Sequence, residues 1–308
     1  MGTSSLLISD SKAKVLIDGF VTRPSIEALF FGTEPDTKLI EKLIDRYDLR
    51  GKLKVIIPVH SHHDHAMDAP IFAEKTGADL IGTPSTLNIA HTEIATGINF
   101  KEALLNKSYK YENFKITLLN TNHGSIPTAL LRKVLGMGKQ IVEPITYPAR
   151  LWDYKESQPF SILIERGSES MLVHASTGVK QGSLNLAKAD WVFLGISKLN
   201  ELDIDEQNIY FDETVAAVEA SRIVPIHWDD IFRSKQERLY PAKKLIGDFS
   251  QELVALESQV ANYQRTSAIR LMKKGETIFL DNRTNQLLPS TIDLNSDGCL
   301  LTVKNVSY

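Results

Sequence analysis

The sequence predicts an α+β fold in which two β-sheets pack together with helices outside. Two observations carry that prediction. Apolar strand-like segments alternate with helical patterns in two similar runs, and several of the strands give way abruptly to polar turns holding His or Asp. In the first run, Leu6-Leu7-Ile8 and residues 15–19 read as strands joined by the turn-rich Ser9-Asp10-Ser11-Lys12, a hairpin. Between Pro35 and Tyr47 the apolar Leu39, Ile40, Leu43, Ile44 and Tyr47 recur at helical spacing, with Gly51 after the end. A buried strand over 54–59 follows, then a helix over 64–75 stopped by Gly77 and a short strand over 79–81. The second run predicts strands over 115–119, 160–165, 170–173 and 191–194, a helix over 206–220 and a strand over 222–225. Residues 241–263 read as an outer amphipathic helix. Residues 1–281 are expected to form one domain, with a lid-like insertion over 125–158. A polar extension over 282–308 follows, with a hairpin near Ser296-Asp297-Gly298.

Composition narrows the function. A chain of 308 residues, 43% hydrophobic, can bury a large core, and its net charge of -3 is spread without a basic stripe, so no nucleic-acid partner is expected. The one cysteine, Cys299, cannot make an internal disulfide. No apolar stretch approaches the roughly 20 residues of a membrane span. Residues 1–5 carry no leader pattern, which makes cytoplasmic the default, or exported if an upstream leader has been removed. A homo-oligomer is compatible with all of this.

The most informative stretch is His60-Ser61-His62-His63-Asp64-His65, directly after the apolar Val55-Ile56-Ile57-Pro58-Val59. Imidazoles and a carboxylate at the end of a buried strand are costly to desolvate unless a cation sits among them. This donor set suits zinc, iron, nickel or copper, whereas calcium and magnesium sites are built from oxygen. With no cysteine nearby, an open catalytic site is favoured over a structural knot. The competing readings are a His-rich surface loop or a tag remnant; tags are runs of His without the interspersed Asp.

With H-x-H-x-D-H placed between a strand and a helix, the chain resembles the metallo-β-lactamase superfamily over roughly residues 3–230. That resemblance implies an αββα four-layer sandwich with metals at one edge of the paired sheets. It also implies ligands: His60, His62 and His123 for one metal, Asp64, His65 and His227 for a second, with Asp18 supporting the metal loop from behind. Alone, a His after a strand is more often a hydrogen-bonded structural residue, but His123 and His227 both sit where an apolar strand gives way to a polar turn, as the first cluster does. The sequence departs from the family at His174-Ala175-Ser176-Thr177-Gly178, where Ser176 stands in place of the aspartate that bridges two metals. Three outcomes stay open: two metals bridged by hydroxide alone, one metal with a weak second, or a degenerate site. His174 either rescues that site or is a buried strand histidine, and His63 faces away or shapes the entrance. Asp229 and Asp230 are imidazole partners or solvated acids.

The implied cofactor is zinc, one or two ions, with manganese, iron or nickel as alternatives. The implied activity is a metal-dependent hydrolase in which metal-bound hydroxide cleaves an ester, lactone or phosphodiester of a small molecule or lipid. Asp64 would be its catalytic carboxylate. The alternative is a metal-binding sensor or binding protein without turnover. The opening Gly2 to Ile8 and Val224-Pro225-Ile226-His227-Trp228 look most like the branch of ascorbate phosphate lactonase and N-acyl phosphatidylethanolamine phospholipase. In the insertion, Arg150 could clamp a carboxylate or phosphate, and Trp152 or Tyr154 could wall a pocket, or these aromatics pack on the core.

Overall fold

The computed structural model describes residues 3–91, 95–124, 132, 136–156, 158–232, 239–243, 247–263, 267–273 and 276–278. One sheet has the order β1-β2-β3-β4-β5. The hairpin of β1 (Leu6–Ser9) and β2 (Lys14–Ile17) is antiparallel, and β3 (Leu53–Ile57), β4 (Asp79–Gly82) and β5 (Phe100–Glu102) add in parallel. In the second sheet β6 (Ser108–Tyr111), β7 (Phe114–Asn120), β8 (Phe160–Arg166) and β9 (Glu169–His174) are antiparallel. Parallel strands β10 (Trp191–Gly195), β11 (Arg222–Ile226) and β12 (Ala268–Ile269) continue from β9.

The two-residue period of a strand sorts the side chains into layers. Val15, Ile17, Val55 and Ile57 of the first sheet meet Ile116, Leu118, Ile162, Val173 and Phe193 of the second in one buried core. Their neighbours Leu16, Ile56 and Leu80 point the other way, onto Ile40 and Ile44 of α2 (Thr37–Arg46) and Phe72 of α4 (Ala69–Thr76), preceded in the chain by the short α1 (Ala28–Phe31) and α3 (His63–Ala66). Helix α5 (Pro84–Ala90) completes that side. On the far face, Leu172, Val192, Leu194 and Ile223 pack against Phe211 of α6 (Ile204–Phe211) and Leu253 and Leu256 of α7 (Phe249–Asn262). The layers run helix, sheet, sheet, helix, the αββα sandwich that the motif implied.

Several predicted elements are reshaped for local reasons. The helix expected over 64–75 is two helices, because Pro70 in the first turn of α4 lacks the N–H that would continue α3. Gly77 ends α4 in the left-handed region at φ 72°, as a C-terminal glycine does. The helix expected over 206–220 is α6 followed by a widened π-turn over Asp212–Ala216, where the Thr214 hydroxyl donates to the Tyr210 carbonyl (2.6 Å). The outer helix begins only at Phe249, after Asp248 accepts from Gln251 N. Strands β5, β6 and β12 and helices α1 and α5 were not foreseen. The first four are only two to four residues long, too short for periodicity to register. Helix α5 did carry a signal in Thr83-Pro84, an N-cap followed by proline. The hairpin expected near residue 297 and Cys299 lie outside the described residues, as does much of the insertion before residue 136.

Strand direction positions the site. β7, β9, β10 and β11 all run the same way, so their carboxyl ends share one edge of the second sheet, and those of β2 and β3 share one edge of the first. The two edges are joined where Phe160 N–H, at the start of β8, donates to the Val59 carbonyl just past β3 (2.9 Å). Truncating the middle of this sandwich should be costly. Ile162→Ala, at a fully buried position between the sheets, is expected to lower unfolding free energy by about 2–5 kcal/mol, read from the urea midpoint at unchanged m-value.

Candidate metal centre

Strand ends deliver every donor. Past β3 the chain brings His60 and His62 to the edge and then turns into α3, which carries Asp64 and His65. His123 follows β7 and His227 follows β11. Two three-residue groups result, His60 with His62 and His123, and Asp64 with His65 and His227, each offering ligand atoms within 4.8 Å of one another. In the first, His60 Nε2 and His62 Nδ1 are 3.0 Å apart, and the His123 ring centre lies 5.0 and 5.1 Å from theirs. In the second, Asp64 Oδ2 lies 3.4 Å from His65 Nε2 and 3.2 Å from His227 Nε2, and the two imidazole nitrogens are 3.2 Å apart. The groups adjoin, with His60 and His65 ring centres separated by 4.1 Å.

Hydrogen bonds behind the rings fix which nitrogen faces inward. Asp18, fully buried at the end of β2, accepts from Val59 N (2.8 Å) and from the Ser4 hydroxyl (2.6 Å), and its Oδ2 lies 2.9 Å from His65 Nδ1. His65 Nε2 is thereby left for a ligand role, the usual carboxylate–imidazole support of a metal site. His123 Nδ1 is held 3.0 Å from the Gly124 carbonyl, leaving Nε2 free in the same way. Asp18 and His227 both adopt left-handed backbone, at φ 56° and 59°, a cost of about 1–2 kcal/mol each that the surrounding bonds hold in place. For His227 those bonds include its N–H to the Thr3 carbonyl (3.0 Å).

The donors are electrostatically prepared for a cation. Burial first, and then the charges of neighbouring rings, push His60 and His62 well below the ordinary imidazole value. Burial brings His123 down to about 4. These rings stay neutral, as ligation requires. Burial opposes charge on His65 too, but the Asp64 and Asp18 carboxylates outweigh it and raise its pKa. For Asp64 burial works upward, yet His65 and the contacts with His227 hold it well below the usual carboxylate range. The buried His60 Nδ1, on the other side of the ring from the Nε2 that faces His62, makes no hydrogen bond to any described group.

The remaining expected residues fall in different places. Ser176, past β9, carries a neutral hydroxyl in place of a carboxylate; its Oγ accepts from Gly124 N (2.6 Å) and so braces the His123 loop. His174 is a structural histidine, its nitrogens 2.7 Å from Ser161 Oγ and 3.0 Å from the Gly178 carbonyl. Among the described residues Asp229 pairs with no imidazole, contrary to one reading of the sequence: it accepts from Thr3 N (2.6 Å) and pairs with Arg23 (2.7 Å), and through Thr3 it steadies the His227 backbone. His63 faces away, toward Phe20 and Tyr154 with ring centres 6.2 and 6.3 Å distant. Arg150, Trp152 and Tyr154 take packing roles in place of the expected substrate wall. Tyr154 is wholly buried behind His63, Trp152 stacks edge-on to Phe30 of α1 (6.0 Å), and Arg150 Nε donates to the Phe30 carbonyl (3.2 Å).

Three supporting residues escaped the sequence reading. Asp68 takes Val21 N and Thr22 N on one oxygen (2.6 Å each), tying the exit of β2 to α4, and burial pushes its pKa up to about 6. Its signal was its place three residues past His65, extending the motif to H-x-H-x-D-H-x-x-D. Gly178 is a close-approach glycine, since a Cβ there would overlap the His123 carbonyl. The Tyr210 hydroxyl lies 2.6 Å from the Gly195 carbonyl and 3.1 Å from that of Ser176, and so holds the ends of β9 and β10 together; a lone helical Tyr gives no sequence signal.

A αββα sandwich with two clusters of imidazole and carboxylate at the strand ends defines a class of metal-dependent proteins. The sequence profile of the metallo-beta-lactamase superfamily matches residues 1–195, and the chain belongs to that superfamily. No curated protein matches it in sequence. Among solved structures it is similar to Igni18, a metallo hydrolase from the archaeon Ignicoccus hospitalis, with TM-score 0.55 and 16% identity over 90% of this chain and 94% of that one. It is similar also to the metallo-beta-lactamase fold protein YhfI from Bacillus subtilis, with TM-score 0.51 and 15% identity over 88% and 89% of the two chains. A third similar structure is CmlA, a diiron beta-hydroxylase from Streptomyces venezuelae, with TM-score 0.52, 12% identity and coverage of 88% of this chain and 51% of that one. At these identities the likeness is one of fold.

The opposed shifts predict how the centre responds to acid. Below the raised pKa of His65 a metal must displace a proton from that ring, while His60, His62 and His123 remain neutral to lower pH. Metal retained by the loaded protein, measured as pH falls from about 8 to about 4, should therefore leave in two steps, the Asp64–His65–His227 group first. A first loss that His227→Ala leaves in place would contradict this order.

Proposed function

We propose that the protein is a metal-dependent hydrolase that cleaves an ester, lactone or phosphodiester bond of a small molecule or lipid. The observation that carries this reading is the pair of adjoining donor groups, His60–His62–His123 and Asp64–His65–His227, with His123 in the wall of an open cleft. Zinc is the first choice of metal, with manganese, iron or nickel compatible with the same nitrogen and oxygen donors. Metal in such a site lowers the pKa of bound water to about 7 and polarises a carbonyl or phosphoryl oxygen.

The chain's own residues supply the rest. Asp18 and Ser4 hold the His65 ring in orientation, and the Thr3–Asp229–Arg23 chain holds His227 at its strained backbone. Asp64, ionised among imidazoles, is placed to orient a water or accept its proton. The likeness of residues 2–8 and 224–228 to the lactonase and phospholipase branch favours C–O or P–O ester cleavage. A second reading, a metal-binding protein without turnover, is favoured by Ser176, whose hydroxyl is committed to Gly124 N and brings no negative charge between the groups.

Asp64→Asn, loaded with metal and checked for metal content, should lose about 100-fold or more in kcat toward p-nitrophenyl acetate and bis-p-nitrophenyl phosphate. Activity retained within a few-fold would contradict the role of Asp64, and a metal-loaded native chain inert to both probes would favour the second reading.

A further inference from the structure

The cleft that opens beside His123 has a chemical character that the metal ligands do not explain. It measures about 640 Å³, and its wall includes Arg132, Lys139 and Lys180. They come from separate stretches of chain: Arg132 and Lys139 from the insertion between β7 and β8, Lys180 from the loop after β9. Among the described residues none of these three side chains has an ion-pair or hydrogen-bond partner. A protein with net charge -3 thus sets three cations and one carboxylate, Glu156, in the wall of one cavity.

The wall is built, not incidental. The loop carrying Lys180 is tied to the His123 loop by Thr121 Oγ1 donating to the Gly178 carbonyl (3.2 Å) and Asn122 Nδ2 to the Val179 carbonyl (3.1 Å). Gly178 lets the two backbones touch. On the other side, Glu156 accepts from Gly138 N (2.9 Å) and fixes the turn that presents Lys139. Glu156 is the cleft's acid, but its carboxyl is buried and engaged with that N–H, and burial moves its pKa upward. It anchors the wall, and its one carboxylate offsets at most one of the three positive charges. Clefts lined by one sign of charge concentrate ligands of the opposite sign.

We propose that this cleft is the subsite for an anionic group, a phosphate or a carboxylate, of a small-molecule substrate whose scissile bond lies at the His123 side, with Arg132, Lys139 and Lys180 as the groups that bind it. The inference rests on the hydrolase reading for the scissile bond, but the anion subsite stands on the cleft itself. It transfers to these residues the anion-clamping role that the sequence suggested for Arg150. It also narrows the substrate from any ester to one that carries a negative charge a short distance from the bond cleaved.

The test uses the full metal-loaded chain and the double variant Lys139→Ala/Lys180→Ala, both positions being exposed, so that folding is retained. Calorimetry with inorganic phosphate and with succinate should show binding weakened about tenfold in the variant, roughly 1.4 kcal/mol, and more so at low salt. The anion with the larger change identifies the group recognised. In kinetics, mono-p-nitrophenyl glutarate and p-nitrophenyl acetate share a leaving group and differ in a terminal carboxylate. The ratio of their kcat/KM should fall about tenfold in the variant, through KM. Phosphate and succinate affinities both unchanged by the double substitution would overturn the inference. A native chain that hydrolyses neither ester, yet loses anion binding in the variant, would overturn the hydrolase reading and leave the anion subsite standing.

Discussion

Five imidazoles and one carboxylate held together, with His60, His62, Asp64 and His65 buried and His123 and His227 half-buried, are the constraint on which the rest of this structure depends. Burial drives most of those rings neutral and leaves lone pairs converging from opposite sides, an arrangement that costs free energy unless a cation fills it. The two groups differ in kind. One is three imidazoles with depressed pKa values; the other is held by two carboxylates that pull His65 the opposite way. A donor set of graded charge follows from a single turn of sequence and the two strand ends that come to meet it.

The sandwich exists to meet that constraint. Parallel runs in each sheet bring the ends of β2, β3, β7, β9 and β11 to one edge, and the apolar layer of Val15, Ile57, Ile162 and Phe193 holds the edges in register. The strain at Asp18 and His227 is localised where the backbone must leave a strand and present a donor at once. The bond that crosses between the sheets, His227 N–H to the Thr3 carbonyl, and the one within the first sheet's edge, Ser4 to Asp18, oppose that strain. The amino-terminal residues are therefore part of the centre's frame although they carry no donor.

Much of this was legible in the sequence because it follows short-range rules. The strand over 54–59 followed by H-x-H-x-D-H, the helix with Ile40 and Ile44 on one face, and Gly77 at a helix end all declare themselves within a few residues. What was hidden depends on contacts between distant segments. Nothing local tells that Asp229 meets Arg23, across 206 positions, instead of an imidazole, or that Ser176 spends its hydroxyl on Gly124 N. Arg150, Trp152 and Tyr154 have the chemistry of a binding wall, but the wholly buried Tyr154 shows that the insertion turns this stretch onto the core. The cations beside the centre are instead Arg132, Lys139 and Lys180, residues whose sequence neighbours give no hint of convergence.

The most direct test of the account is the metal content per chain of protein loaded with zinc and freed of excess, for the native chain and for His227→Ala. Two facing groups predict close to two ions in the native chain, falling towards one when His227 is removed. One ion or none, with no change on losing His227, would contradict a paired centre and leave Asp64, His65 and His227 as a hydrogen-bonded cluster without a metal.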